Sequence, residues 1–266
     1  MIESTFLLQM SLSFVVGSFW VLLTTWLADR FGSKKGGFIG GLPSTAAVSF
    51  FFIGLTQSAQ TAAEATTVFP MSYAFTGLFL VLYALLWRRG FISAICVSIF
   101  VWFFLSGCVV LLDVNNYILS VGFYIFILIT AFYLLEFRLK LPSIGREDIH
   151  YSVLQYISRA VFGGFVVALA VFLSRIGGPV FGGIFSAFPA VFISVLIISY
   201  RSRGMEFSRA LTKPLLVTGM VSIFVYSVGV RYFYPSFGLW WGTLAAYIFA
   251  LIGALFSYFL IQKKLI

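Results

Sequence analysis

The chain has 266 residues, 61% of them apolar and 9% charged, with a formal net charge of +9 and a mean hydropathy of +1.07. A soluble domain is about half apolar and a quarter charged, so these values exclude a water-dissolved globule and point to an all-α polytopic membrane protein. One histidine and two cysteines, Cys96 and Cys108 inside apolar runs, argue against a disulfide scaffold, a His-based metal site and Ser-His-Asp catalysis; no cofactor, metal or catalytic set is expected.

A span takes about 20 apolar residues, and the chain reads as about nine of them. The first runs from about Phe6 to Ala28, and a basic turn, Asp29 to Lys35, leads to the second, about Gly36 to Gln57. A polar loop, Ser58 to Thr67, precedes the third, about Val68 to Trp87, which ends at Arg88-Arg89-Gly90. The fourth is about Phe91 to Leu112, and Asp113 to Asn116 turns into the fifth, about Tyr117 to Leu135. A charged linker, Glu136 to His150, leads to the sixth, about Tyr151 to Ser174. Arg175 to Gly178 turns into the seventh, about Pro179 to Tyr200; a basic loop follows, Arg201 to Lys213. The eighth is about Pro214 to Arg231, and Tyr232 to Phe237 turns into the ninth, about Gly238 to Ile261. The N-terminus lacks a basic region and its apolar run is long enough to span, so no cleavable signal peptide is expected. Taking loops alternately, all 17 Lys and Arg residues except Arg175 and Arg231 fall on one side. Positive loops stay cytoplasmic, which places the N-terminus outside and the C-terminus inside a plasma (inner) membrane. The positive charge is then a topology signal that needs no nucleic-acid partner, and it brings contact with anionic headgroups.

One stretch occurs twice. Gly36-Gly37-Phe38-Ile39-Gly40-Gly41-Leu42-Pro43 is echoed by Gly182-Gly183-Ile184-Phe185-Ser186-Ala187-Phe188-Pro189. Upstream, Arg30 matches Arg175; downstream, Thr76-Gly77 matches Thr218-Gly219, Tyr83 falls near Tyr226 and Arg88 near Arg231. A repeated pattern is evidence of architecture first. An odd number of helices separates the copies, so they enter the membrane from opposite sides. The expected layout is 4 + 1 + 4 inverted-topology repeats: residues 1–116, a linker helix and cytoplasmic linker over 117–150, and residues 151–266. Each half resembles the small four-helix membrane proteins of the GlpM type and related uncharacterised families, on Arg30, Gly36, Gly37, Gly40, Gly41 and Pro43, and again on Arg175, Gly182, Gly183, Ser186, Ala187 and Pro189. The resemblance implies a four-helix unit with a proline at the start of its second helix, here fused twice through an extra helix, and brings no activity with it.

The glycine rows have small-xxx-small spacing, which lets membrane helices approach closely. Pro43 and Pro189 remove backbone donors, and unwound backbone at membrane depth can line a cavity. The candidate substrate-binding residues are therefore Pro43, Pro189, Gly40, Gly41 and Ser186, with Tyr83 and Tyr226 as hydroxyl donors. Arg159, near the start of the sixth helix, either snorkels to headgroups or faces an anionic substrate; Gln9 is a weaker polar candidate. All eight acids lie in loops or at helix ends, so no mid-membrane carboxylate is available for proton coupling. Asp29 and Arg30 are expected to pair at their turn. Trp87, Trp102, Trp240, Trp241, Tyr117, Tyr232 and Tyr234 lie near predicted ends, as interfacial anchors do.

Two classes of function fit. The first is a carrier in which the second, third, seventh and eighth helices hold a small organic, anionic or lipid-linked substrate. The second is a non-transporting membrane scaffold or accessory protein of envelope or lipid metabolism, with tight packing and no polar cavity. A channel lacks a continuous polar path. A membrane enzyme lacks an acid pair or nucleophile-base set. The lipid bilayer is the one definite partner; the small-molecule substrate is unknown and a homodimer is open.

Overall fold

The computed structural model describes residues 4–30, 42–142 and 151–264, with side chains described as far as residue 255. Gly36, Gly37, Gly40, Gly41 and His150 lie outside the described residues. Among the described residues every regular element is helical. That is the economical way for a chain this apolar to pair its backbone groups without water.

In order, α1 is Ser4–Arg30, α2 Thr45–Thr56, α3 the short Ala59–Ala65, α4 Phe69–Leu85, α5 Phe91–Leu111 and α6 Tyr117–Tyr133. They are followed by α7, Val153–Gly177, α8, Pro179–Ser186, α9, Ala190–Ala210, α10, Thr212–Pro214, and α11, Met220–Lys264. A π-helical turn, Leu215–Gly219, joins α10 to α11, and another, Leu134–Arg138, extends α6. Among the described residues, seven helical runs are long and apolar enough to cross a membrane; α2, with 12 residues, is a shorter apolar helix.

Local chemistry explains the boundaries. Ser152 and Gln155 form a reciprocal capping box at the start of α7, and Asn116 Oδ1 accepts the Leu119 amide at 3.0 Å to start α6. Gly90, Gly178 and Gly238 have φ of 90°, 87° and 73°, a region that costs other residues a Cβ clash. Each reverses the chain between consecutive helices. The reversal at Gly238 folds α11 into a hairpin. A Cβ at Gly229 would meet Ala246, one at Gly242 would meet Phe233 and Tyr234, and one at Gly253 would meet Val225. Pro235 was expected within a turn, but the helix continues through it to Gly238, because the pyrrolidine needs only one missing bond and the glycine supplies the reversal.

α1 and α7 pack along their length, and the contacts run in opposite directions. Arg175 stands over the Phe6 ring at 5.8 Å, a Cβ at Gly17 would meet Val167 at 3.0 Å, one at Gly163 would meet Val21 at 2.7 Å, and Tyr156 donates to Asp29. The two helices are therefore antiparallel. Two further details depart from expectation. Asp29 takes its hydrogen bond from Tyr156, and Arg30 lies over the Trp26 ring at 5.2 Å, so the adjacent acid and base each find a ring-bearing partner. The loop Ser58 to Thr67 holds α3, whose Ser58 hydroxyl accepts the Thr61 amide at 3.0 Å.

Candidate functional site

Pro189 interrupts the run that starts at Pro179. Without an N–H, and with its ring set against the carbonyl four residues back, it cannot extend α8. The last turn tightens, with Ala187 N bonding Ile184 O at 3.0 Å and Phe188 N bonding Phe185 O at 3.2 Å. The helix restarts at Ala190, and Ile193 N bonds Pro189 O at 2.8 Å. α8 has eight residues, about 12 Å at 1.5 Å each. That is less than half of a hydrocarbon core about 30 Å thick. Pro43 likewise stands in non-helical backbone, two residues before α2, and is buried.

Each break carbonyl is held in the same way. Thr76, midway along α4, donates to Ala187 O at 2.8 Å and accepts the Trp102 indole N–H at 3.1 Å. Tyr247, in the second arm of α11, donates to Pro43 O at 2.8 Å and accepts the Trp20 indole N–H at 3.0 Å. Both are indole-to-hydroxyl-to-carbonyl relays, and both hydroxyls come from the other half of the chain. A buried carbonyl left without a partner costs about 1–3 kcal/mol, so the relays stabilise the unwound backbone. Trp102 was read as an interfacial anchor. It is 1% exposed, in a cluster with Val68, Met71, Phe75 and Ile184, and sits mid-helix because Thr76 gives its N–H a partner away from headgroups. Tyr234, read the same way, is also fully buried, and its hydroxyl meets those of Tyr226 at 3.3 Å and Thr243 at 2.9 Å.

A second crossing joins the Thr-Gly motifs. A Cβ at Gly77 would meet Met220 at 3.1 Å. Tyr73 donates to Gly219 O at 3.3 Å and Tyr124 to Met220 O at 2.9 Å. A π-helical turn shifts carbonyls out of the i→i−4 ladder, and the two tyrosines serve those at its end. Their rings form a stack with Phe69 and Phe224, at centroid spacings of 5.3, 6.3 and 4.4 Å.

The remaining candidates have local partners. Ser186 Oγ donates to Gly182 O at 2.7 Å. Tyr83 Oη and Ser208 Oγ lie 2.7 Å apart, and Ser208 donates to Leu196 O. Arg159 is buried at one end of the bundle, where Nη1 donates to Tyr151 at 3.3 Å. Gly40 and Gly41 lie outside the described residues. The small-residue rows pack tightly: a Cβ at Gly182 would meet Ser174 at 2.7 Å, and one at Gly183 would stand 2.1 Å from Ala65 O. The structure therefore joins Pro43 and the Pro189 break to Tyr247, Thr76, Trp20 and Trp102, which sequence reasoning did not select, sets the Tyr226 ring edge-on against Tyr247 at 5.6 Å, and leaves Tyr83 and Arg159 in separate networks. A tryptophan far from both ends of its span was the available signal.

These features define a helical membrane-embedded protein whose sequence contains the same unit twice. The chain belongs to a family of proteins of unknown function, DUF3147, whose profile matches it over residues 10–115 and again over 156–263. No curated protein and no solved structure matches it.

Proposed function

We propose that this chain is a carrier with nine transmembrane helices, built from two inverted four-helix repeats around a linker helix. Its substrate, a small organic, anionic or lipid-linked molecule, sits near Pro43 and Pro189. The observation that carries this is the pair of relays: each break is gripped by a hydroxyl of the opposite half. Broken helices at the midplane, where inverted repeats meet, are how many carriers present backbone groups to a substrate. Antiparallel packing of α1 on α7 supports the inversion, because the contacts are reciprocal: Gly17 meets Val167 and Gly163 meets Val21. With Pro43 matched to Pro189, Gly17 matches Gly163 and Val21 matches Val167, the i-to-j, j-to-i pattern of a two-fold axis. The hairpin at Gly238 turns the longest run into two spans, and the span expected from sequence at about Gly36 to Gln57, which contains α2, is counted as another, which gives nine. The basic loops then put the C-terminus in the cytoplasm of a cell with a plasma (inner) membrane.

In such a carrier the two relays are alternately loosened, exposing first one break and then the other. The test is a cysteine at Ala187, which is 1% exposed, in a protein lacking Cys96 and Cys108, reconstituted in vesicles. A carrier exposes this thiol to impermeant reagents added on either face, with a slow rate set by the state populations. Absence of labelling from both faces would make the protein a scaffold instead.

A further inference from the structure

We infer that Trp87, Arg88 and Arg209 form a binding site for the phosphate of an anionic phospholipid at the membrane surface. The inference requires only that the chain is membrane-embedded and does not depend on transport.

Arg88 and Arg209 stand over the same Trp87 indole, at 5.5 and 4.9 Å. Their guanidinium carbons are therefore no more than about 10 Å apart, near enough for Arg88 to act electrostatically on Arg209, and an anion beside the ring would meet both charges. Arg209 is anchored, its Nε donating to Ala84 O at 2.9 Å. The fork is thus fixed on the end of α4, while Arg88 is exposed. Glu206, exposed and one turn before Arg209, offers it only a partial counter-charge. The indole face attracts cations, but it carries no net charge to balance two of them.

The matching position in the other half shows what is missing. In the alignment that pairs Thr76-Gly77 with Thr218-Gly219, Thr67 matches Arg209, and Arg231 matches Arg89 and so falls one residue from Arg88. There the arginine lies over the Tyr117 ring at 3.9 Å and its Nη1 donates to Thr67 Oγ1 at 3.1 Å. There one cation shares the ring with a neutral side chain. Replacing the acceptor by a second arginine creates a paired cation that wants an anion. Lipid is the source that fits, because Leu85 and Ile92, which flank Arg88, are 48% and 75% exposed and offer apolar surface to acyl chains. Basic pockets between membrane helices are a recurrent way to bind anionic headgroups.

The test is native mass spectrometry of the delipidated full-length protein in neutral detergent, titrated with phosphatidylglycerol or phosphatidylcholine. The wild type is expected to retain one phosphatidylglycerol at least tenfold more tightly than phosphatidylcholine. At the usual strength of one basic residue near an anionic surface, Arg88→Gln should weaken it roughly fivefold and Arg88→Gln/Arg209→Gln on the order of thirtyfold. Arg201→Gln/Arg203→Gln, which alters exposed charge nearby, should change it less than twofold. Should the double variant fail to fold, the exposed Arg88 substitution decides alone. Unchanged affinity in Arg88→Gln, equal loss in the control pair, or displacement of the lipid by an equal concentration of inorganic phosphate would each overturn the inference.

Discussion

Gly164 in α7 is a place where the two halves approach closely, and adding one methyl group there tests the packing directly. A Cβ at this position would stand 2.0 Å from Ser18 Oγ and 2.5 Å from Phe14 O. An ordinary carbon-to-oxygen contact is about 3.3–3.6 Å, so Gly164→Ala must open the α1–α7 crossing by roughly 1 Å. Ser18 can rotate, but the Phe14 carbonyl belongs to the helix and cannot. Overpacking costs about 1–3 kcal/mol, offset by about 1 kcal/mol from replacing glycine by alanine in a helix. The two controls are Gly107→Ala and Gly122→Ala, where the added atom meets nothing within 4 Å; these should be neutral or slightly stabilising. Gly163→Ala is intermediate: its Cβ would meet the Val21 side chain at 2.7 Å, so Val21→Ala should restore much of its loss. By the two-fold relation Gly17→Ala should be relieved by Val167→Ala in the same way. Thermal melting in a single detergent is the assay. A Gly164→Ala protein that melts above the wild type, or at the same temperature as the Gly107→Ala protein, would refute the close crossing.

Three further outcomes are expected. Thr76→Val removes both the donor to Ala187 O and the acceptor of the Trp102 N–H, and should destabilise by about 1–3 kcal/mol in the same melting assay, whereas Thr76→Ser should lose much less. Tyr73→Phe and Tyr124→Phe each leave a carbonyl at the π-helical turn unserved and should cost about 1 kcal/mol apiece, measured by denaturation in mixed micelles. Gly238→Ala forces an alanine to φ 73° at about 1–2 kcal/mol, and should lower the melting temperature where Gly107→Ala does not.

The sequence disclosed more of the skeleton than of the site. Hydropathy located the helical segments, and the repeated Pro43 and Pro189 marked two places of non-helical backbone, because proline's missing N–H acts locally whatever surrounds it. The partners of those breaks were not legible. Thr76 and Ala187 are 111 residues apart, and Tyr247 and Pro43 are 204 apart, so no spacing rule connects them. Trp102 and Tyr234 were assigned to the interface because Trp and Tyr gather there when their polar atoms need water; in this fold, hydroxyls on neighbouring helices take the place of water. Pro235 suggested a turn three residues early, since a proline near a helix end and the glycine that ends it look alike in one dimension. The π-helical turn at Leu215–Gly219 has no one-dimensional mark beyond Pro214 just before it.

Inversion of the two halves is tested most directly by labelling the matching turns. Cys96 and Cys108 would be replaced, and single cysteines placed at Ser33 and at Ile176, which is 61% exposed at the end of α7. Intact cells would then be treated with an impermeant thiol reagent. Inverted repeats predict labelling at 176 in intact cells and at 33 only after permeabilisation. Labelling of both positions in intact cells, or of neither until the membrane is opened, would place the two turns on one side and contradict the inverted carrier.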